Sequence, residues 1–213
     1  MVSNIENLLA RARAFREGPF LRQRPQYLRL VREGQKPKIL MVSCSDSRVD
    51  PSSIFAVEPG EIFMVRNVAA LVPPCGPDEA YPGTSAALEF GIVHLGIEHV
   101  VVLGHAHCGG IQALLRGTET GDGETDFIAS WLSCAQEARD RVVKELPHAS
   151  RAELVRALEY ETLRQSVRNL MTFRWIEERV HAGKLSLHGW RFDIAEGALA
   201  VVVKNGEPST ISD

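Results

Sequence analysis

The chain has 213 residues, enough for a well-buried core, and its formal net charge of −3 offers no general attraction to nucleic acid or to an anionic membrane. Its four cysteines do not make a disulfide scaffold at this length, and no apolar run approaches the length that spans a bilayer. Met1 to Glu6 lack a basic region followed by an apolar core, so a cytoplasmic location is the expectation.

One domain over residues 1–213 is expected, with a helical arm over about 1–34 and an α/β core over 35–213. From Asn4 to Gly34 the pattern is helical. Ile5, Leu8, Leu9 and Ala12 share one face, then Tyr27, Leu28, Leu30 and Val31, with breaks at Gly18-Pro19 and Pro25 that predict two or three short helices. Ile39-Leu40-Met41-Val42 predicts a first strand, Pro51 to Val57 a short helical turn, Pro59-Gly60 a tight turn, and Ile62 to Val65 a second strand. Leu71 to Pro77 reads as a loop and Thr84 to Leu95 as a helix. A strand from Val100 follows, then a helix over Ile111 to Leu115 that Gly109-Gly110 opens.

Gly117 to Glu124 reads as a polar loop. Helices are predicted over Asp126 to Leu146, Glu153 to Met171 and Thr172 to His181, and strands over Leu185 to Ile194 and Leu199 to Val203, with Glu196-Gly197 between them as a hairpin signal. Strands alternating with helices predict an α/β fold: an open, mostly parallel sheet with helices on both faces and an antiparallel edge hairpin. No internal repeat is evident. Ser43-Cys44-Ser45-Asp46 stands where a nucleotide-binding chain carries its Gly-rich turn, which argues against that class.

The chemistry concentrates in two stretches, Cys44-Ser45-Asp46-Ser47-Arg48 and Gly104-His105-Ala106-His107-Cys108-Gly109-Gly110. Each follows an apolar run, so both fall at carboxyl ends of strands, where an open parallel sheet forms its ligand crevice. Cys44, His105 and Cys108 could meet there. Two thiolates and an imidazole suit zinc, and three protein donors leave one tetrahedral position open, as in catalytic sites. The competing reading is that both cysteines are small buried apolar residues and His105 a hydrogen-bonded core histidine.

Asp46 and Arg48 weigh against that reading, because a charged pair just after a thiol has little reason to be there for packing alone. Asp46 could accept a hydrogen bond from a nucleophile at the open position and orient it. Arg48 would keep the carboxylate ionised and restrained. Without that restraint, Asp46 is itself a good oxygen ligand that could close the metal. Cys75 and Cys134 are expected to be free thiols, and without a Cys-x-x-Cys a thiol redox protein is disfavoured.

These two stretches resemble the beta class of carbonic anhydrases. The likeness extends through Glu58-Pro59-Gly60-Glu61, Arg66-Asn67-Val68-Ala69 and Leu187-His188-Gly189-Trp190, from about Gln35 to the final strands, and Glu61 to Pro74 is similar to the plant-like branch. It implies one zinc per chain, held by Cys44, His105 and Cys108, with Asp46 and Arg48 catalytic. Carbon dioxide and bicarbonate would be the reactants. Phe63 and Val68 would line an apolar substrate pocket, while Gln35 and the backbone N–H of Gly109 would hydrogen-bond the substrate. The arm would reach across a neighbouring subunit in a dimer or dimer-based oligomer, whereas its apolar pattern alone also allows helices that cover the chain's own sheet. His94 matches a position implicated in proton transfer.

The chain also departs from the family pattern. Ala106 replaces a usual Ser or Thr, and Phe90 a Tyr of plant-like members. Met41 and Phe192 replace the Trp and Tyr of the bicarbonate-inhibited branch, although Arg66 matches its arginine. The alternatives are hydrolysis of carbonyl sulfide or carbon disulfide at the same zinc, and a non-catalytic zinc-binding interaction protein. The latter would need neither Asp46 nor Arg48.

Overall fold

A computed structural model describes residues 4–76, 82–117 and 127–209. Pro77, most of the polar loop after Gly117, and Asp126 lie outside them. The arm forms α1 (Asn4–Glu17) and α2 (Pro19–Glu33), neither with a buried residue, so the two-helix form of the expectation holds. Pro19 begins α2, where its missing N–H costs nothing, and Pro25 lies inside it.

Strands β1 (Ile39–Cys44), β2 (Ile62–Asn67), β3 (His99–His105), β4 (Ser186–Phe192), β5 (Leu199–Lys204) and β6 (Glu207–Pro208) form one sheet in the order β2-β1-β3-β4-β5-β6. The first four are mutually parallel; β5 and β6 add antiparallel edges. Patterning explains the layout. The continuous apolar runs of β1 and β3 are buried along nearly their whole length, as in parallel strands covered on both faces, whereas β4 alternates half-buried and buried residues. The two-residue β6 had no sequence signal.

Between the strands lie α3 (Pro51–Phe55), α4 (Pro82–Glu89), α5 (Gly109–Arg116), α6 (Phe127–Leu132), α7 (Gln136–Glu145), α8 (Arg151–Leu170) and α9 (Arg174–His181). Helix α8 starts at a capping box, in which the Ser150 side chain accepts from the Glu153 N–H and Glu153 accepts in return from the Ser150 N–H. It packs with α5 and α7 on the larger core, around Leu40, Val100, Val102, Leu158 and Leu163. Ile54 and Phe55 of α3 lie on the other face, against Met41, Val49, Val101 and Leu103. Fully burying each such aliphatic side chain contributes about 1.5–3 kcal/mol.

Two helices depart from the expected form. Residues 126–146 do not make one helix: a 3-10 turn, Ser133–Ala135, separates α6 from α7. The side chain of Gln165 is the reason. It accepts from the Ala138 N–H at 2.8 Å and donates to the Cys134 carbonyl at 3.0 Å, replacing the bond those two groups would make in a continuous helix. The helix from Pro82 widens into a π turn over Phe90–His94, with the Leu95 N–H reaching back to the Phe90 carbonyl. Gly91 sits there because a Cβ would come within 2.7 Å of Leu40 and 2.9 Å of Ile97.

Among the described residues no helix is long and apolar enough to cross a membrane.

Candidate metal centre

The chain passes from β1 to β2 on one side and then to β3 on the other, so strand order reverses between β1 and β3. Cys44 is the last residue of β1 and His105 the last of β3. Chain topology alone therefore delivers a thiol and an imidazole to one crevice. Cys108 completes the set immediately before α5.

The donor atoms of Cys44, His105 and Cys108 all lie within 4.8 Å of one another, and all three residues are buried. The two sulfurs are 3.9 Å apart. Two thiolates at about 2.3 Å from a tetrahedral zinc would be separated by about 3.8 Å, so the pair is already spaced for the metal. His105 Nδ1 is 2.8 Å from the Ala106 carbonyl, which fixes the tautomer and leaves Nε2 as acceptor. That Nε2 is buried with no hydrogen-bond partner. An unpartnered imidazole nitrogen facing two thiols is costly without a metal and natural with one. Zinc fits these residues.

The thiols are electrostatically linked. Contact with Cys108 lowers the pKa of Cys44, while the same contact and burial raise that of Cys108. Asp46 stands alongside. Its Oδ2 is 3.9 Å from His105 Nε2, but both carboxylate oxygens are held by Arg48, Oδ1 by Nε at 2.9 Å and Oδ2 by Nη2 at 2.7 Å. Those hydrogen bonds keep the Asp46 carboxyl well below the usual carboxylate range. The three-residue donor cluster therefore does not include Asp46, whose carboxylate is held on Arg48.

Arg66 has a task the sequence did not disclose: Nε donates to the Cys44 carbonyl at 3.0 Å, and Nη2 to the carbonyls of Asp46 and Val49 at 2.8 and 2.7 Å. It holds the loop that carries Cys44, Asp46 and Arg48. Asn67 pins the next turn, donating to the Leu71 carbonyl and accepting from the Leu71 N–H. That turn, Val68–Ala70, abuts α5 so closely that a Cβ on Gly110 would lie 2.9 Å from both Val68 Cγ1 and Ala69 Cβ.

The residues expected to bind substrate divide into two groups. Gly109 adjoins Cys108, and Val68 follows Asn67, the register partner of Cys44, so both lie near the donors. Gln35 and Phe63 do not. Gln35 precedes the start of β1, and Cys44 lies beyond a strand about 17 Å long at 3.3 Å per residue. Phe63 pairs with Leu40, near the same far end of the sheet, with its ring 5.9 Å from that of Phe90. His107 is exposed and outside the cluster, and the His94 ring rests 5.7 Å from Phe90.

Residues 39–199 match the family model described as carbonic anhydrase. The chain belongs to the beta-class carbonic anhydrases. It is 36% identical over 193 residues to a carbonic anhydrase of Synechocystis sp., covering 91% of this chain and 69% of that protein. Chloroplastic and mitochondrial beta carbonic anhydrases of Arabidopsis thaliana are 35% and 37% identical, and the chain spans only 62% and 56% of their lengths. Among solved structures, the beta-carbonic anhydrase CcaA superposes with a TM-score of 0.87 at 34% identity, covering 92% of this chain and 86% of that one. A tetrameric beta-carbonic anhydrase of Sordaria macrospora gives 0.79 at 27% identity, covering 94% and 98%.

Sequence reading missed Glu159 and Arg191, a buried carboxylate and guanidinium joined at 2.9 Å behind the metal loop. One signal was available: Arg191 shares the inward face of β4 with Leu187 and Gly189, where a charge is out of place.

Proposed function

We propose that the chain catalyses the reversible hydration of carbon dioxide to bicarbonate and a proton, using one zinc ion held by Cys44, His105 and Cys108. Zinc supplies a Lewis acid that brings the acidity of a bound water to about pH 7. The observation that carries the proposal is the ionised Asp46, gripped by Arg48 beside the buried triad. A carboxylate that can only accept hydrogen bonds there orients the nucleophile toward the substrate carbon, and Arg48 keeps it from becoming a fourth ligand. Val68 gives a neutral gas an apolar wall. The Gly109 N–H, at the start of α5, is suited to a developing bicarbonate oxygen.

Self-association is part of the proposal. Ile5, Leu8, Leu9, Leu21, Leu28 and Val31 of the arm are exposed, more apolar surface than solvent favours, and a relative of the same fold is tetrameric. A second copy would also account for Gln35 and Phe63, which could line a partner's site though they are remote from the triad of their own chain. The arm over 1–34 then serves assembly and 35–213 forms the catalytic unit. A cytoplasmic location suits the reduced thiols.

A silent zinc-binding protein would not need the Asp46–Arg48 pair. Stopped-flow rates for carbon dioxide, carbonyl sulfide and carbon disulfide on one preparation of measured zinc content test the proposal. Fast hydration of carbon dioxide is expected. Turnover of a sulfur analogue alone would reassign the substrate, and no turnover by zinc-loaded protein would overturn the enzymatic reading.

A further inference from the structure

The segment joining His105 to Cys108 is held from two sides. His107, between these donors, has a left-handed backbone with φ of 58°, a conformation that crowds the Cβ of a non-glycine residue and needs holding in place. Its carbonyl accepts from Arg48 at 3.3 Å. Its N–H donates to Glu159 Oε1 at 2.7 Å. Glu159 comes from the middle of α8 and is only 4% exposed. Its second oxygen accepts from Arg191 Nε at 2.9 Å, and the Arg191 guanidinium lies 5.2 Å from the centre of the Tyr160 ring and reaches Asp193 at 3.3 Å.

Burying an ion pair is a poor way to gain stability, since an apolar pair of similar volume is often as stable or more so. Here the carboxylate has a particular target. It grips the His107 N–H, in the short segment between His105 and Cys108, and Arg191 sits on β4 opposite Gly104, just before His105. We propose that Glu159, oriented by Arg191, is a positioning residue for the metal loop: it holds His107 in its left-handed turn so that His105 and Cys108 stay spaced for zinc. This rests on the zinc reading above.

The test measures two quantities on each zinc-loaded variant: the melting temperature, and the rate of zinc release to a colour-forming chelator. Glu159→Gln keeps an acceptor for the His107 N–H but lacks the charge that pairs with Arg191. It should melt earlier yet release zinc within about threefold of the wild-type rate, because the contact to the loop survives. The double variant Glu159→Leu/Arg191→Met removes contact and charges together. It should release zinc about tenfold faster or more, the usual loss when a partner behind a metal ligand is removed. Should that variant fail to fold, Glu159→Asp takes its place, because its shorter carboxylate keeps the charge but falls short of the loop. Val202→Ala, a cavity in the core at a fully buried position, controls for lost stability and should leave zinc release unchanged. Release within about threefold of wild type from the folded double variant, or from Glu159→Asp in its place, overturns the inference. Wild-type protein that binds no zinc overturns the metal reading instead.

Discussion

Arg48 holds Asp46 at both carboxylate oxygens, at 2.9 and 2.7 Å, and the same guanidinium reaches the His107 carbonyl at 3.3 Å. One side chain therefore links the two loops that bring the metal donors. Asp46→Asn should keep zinc, since Asp46 is not among the donors, and lose about 10–100-fold in hydration rate, the range for a group that orients a metal site from outside. Hydration at the wild-type rate by a zinc-loaded Asp46→Asn protein would reduce the carboxylate to a structural role.

Arg66 leads to a second prediction. Its Nε and Nη2 already serve the carbonyls of Cys44, Asp46 and Val49, while Met41 and Phe192 offer no polar hydrogen to an anion. A bicarbonate ion would find too few donors to favour a closed state, and a ligand shifts an equilibrium only by binding one state better. Crystals grown near pH 8 with and without bicarbonate should both show Asp46 on Arg48. Bicarbonate ordered beside Arg66, or Asp46 on the metal in both, would show that the switch survives these substitutions.

Much of this was legible in the chain. The apolar runs before Cys44 and His105 located both strand ends, because side chains buried on both faces of a parallel sheet leave an uninterrupted hydrophobic signature. What escaped depends on contacts distant in sequence. Gln165 divides a helix whose own residues would have continued it, and Glu159 reaches His107 across 52 positions. Gln35 and Phe63 match a family pattern, but their distance from the triad follows from the direction of β1 and the pairing of β2, which no local pattern encodes.

Close packing around the metal loop gives a third prediction. Gly110→Ala would push a Cβ to 2.9 Å from Val68 and Ala69, and the latter contact is a short side chain that cannot swing aside. A loss of about 1–3 kcal/mol in denaturant unfolding is expected, the usual cost of overpacking. An unchanged midpoint would mean that the Val68–Ala70 turn yields freely.

The His188 imidazole is held below its ordinary pKa, first by burial and then by the charges of His99 and Lys204. The unfolded chain takes up a proton near pH 6.5 that the folded chain resists, so this contribution is complete above about pH 6.5 and is lost as pH falls through the lower folded value. His188→Gln removes the effect. The difference in melting temperature between wild type and variant should therefore be constant above about pH 7 and shift against the wild type on acidification. Parallel curves from about pH 8 down to about 5 would show that His188 does not contribute.

The most direct test is to strip the metal with a chelator and follow carbon dioxide hydration by stopped flow as zinc is returned. The rate should start near the uncatalysed value, rise linearly and stop at one zinc per chain. Cys134→Ser protein should follow the same line, because its thiol, raised to about 12 by burial, is not a donor. Cys108→Ser protein should stay flat. Hydration by the stripped wild-type protein, or full recovery in Cys108→Ser with zinc bound, would contradict the assignment of this chemistry to Cys44, His105 and Cys108.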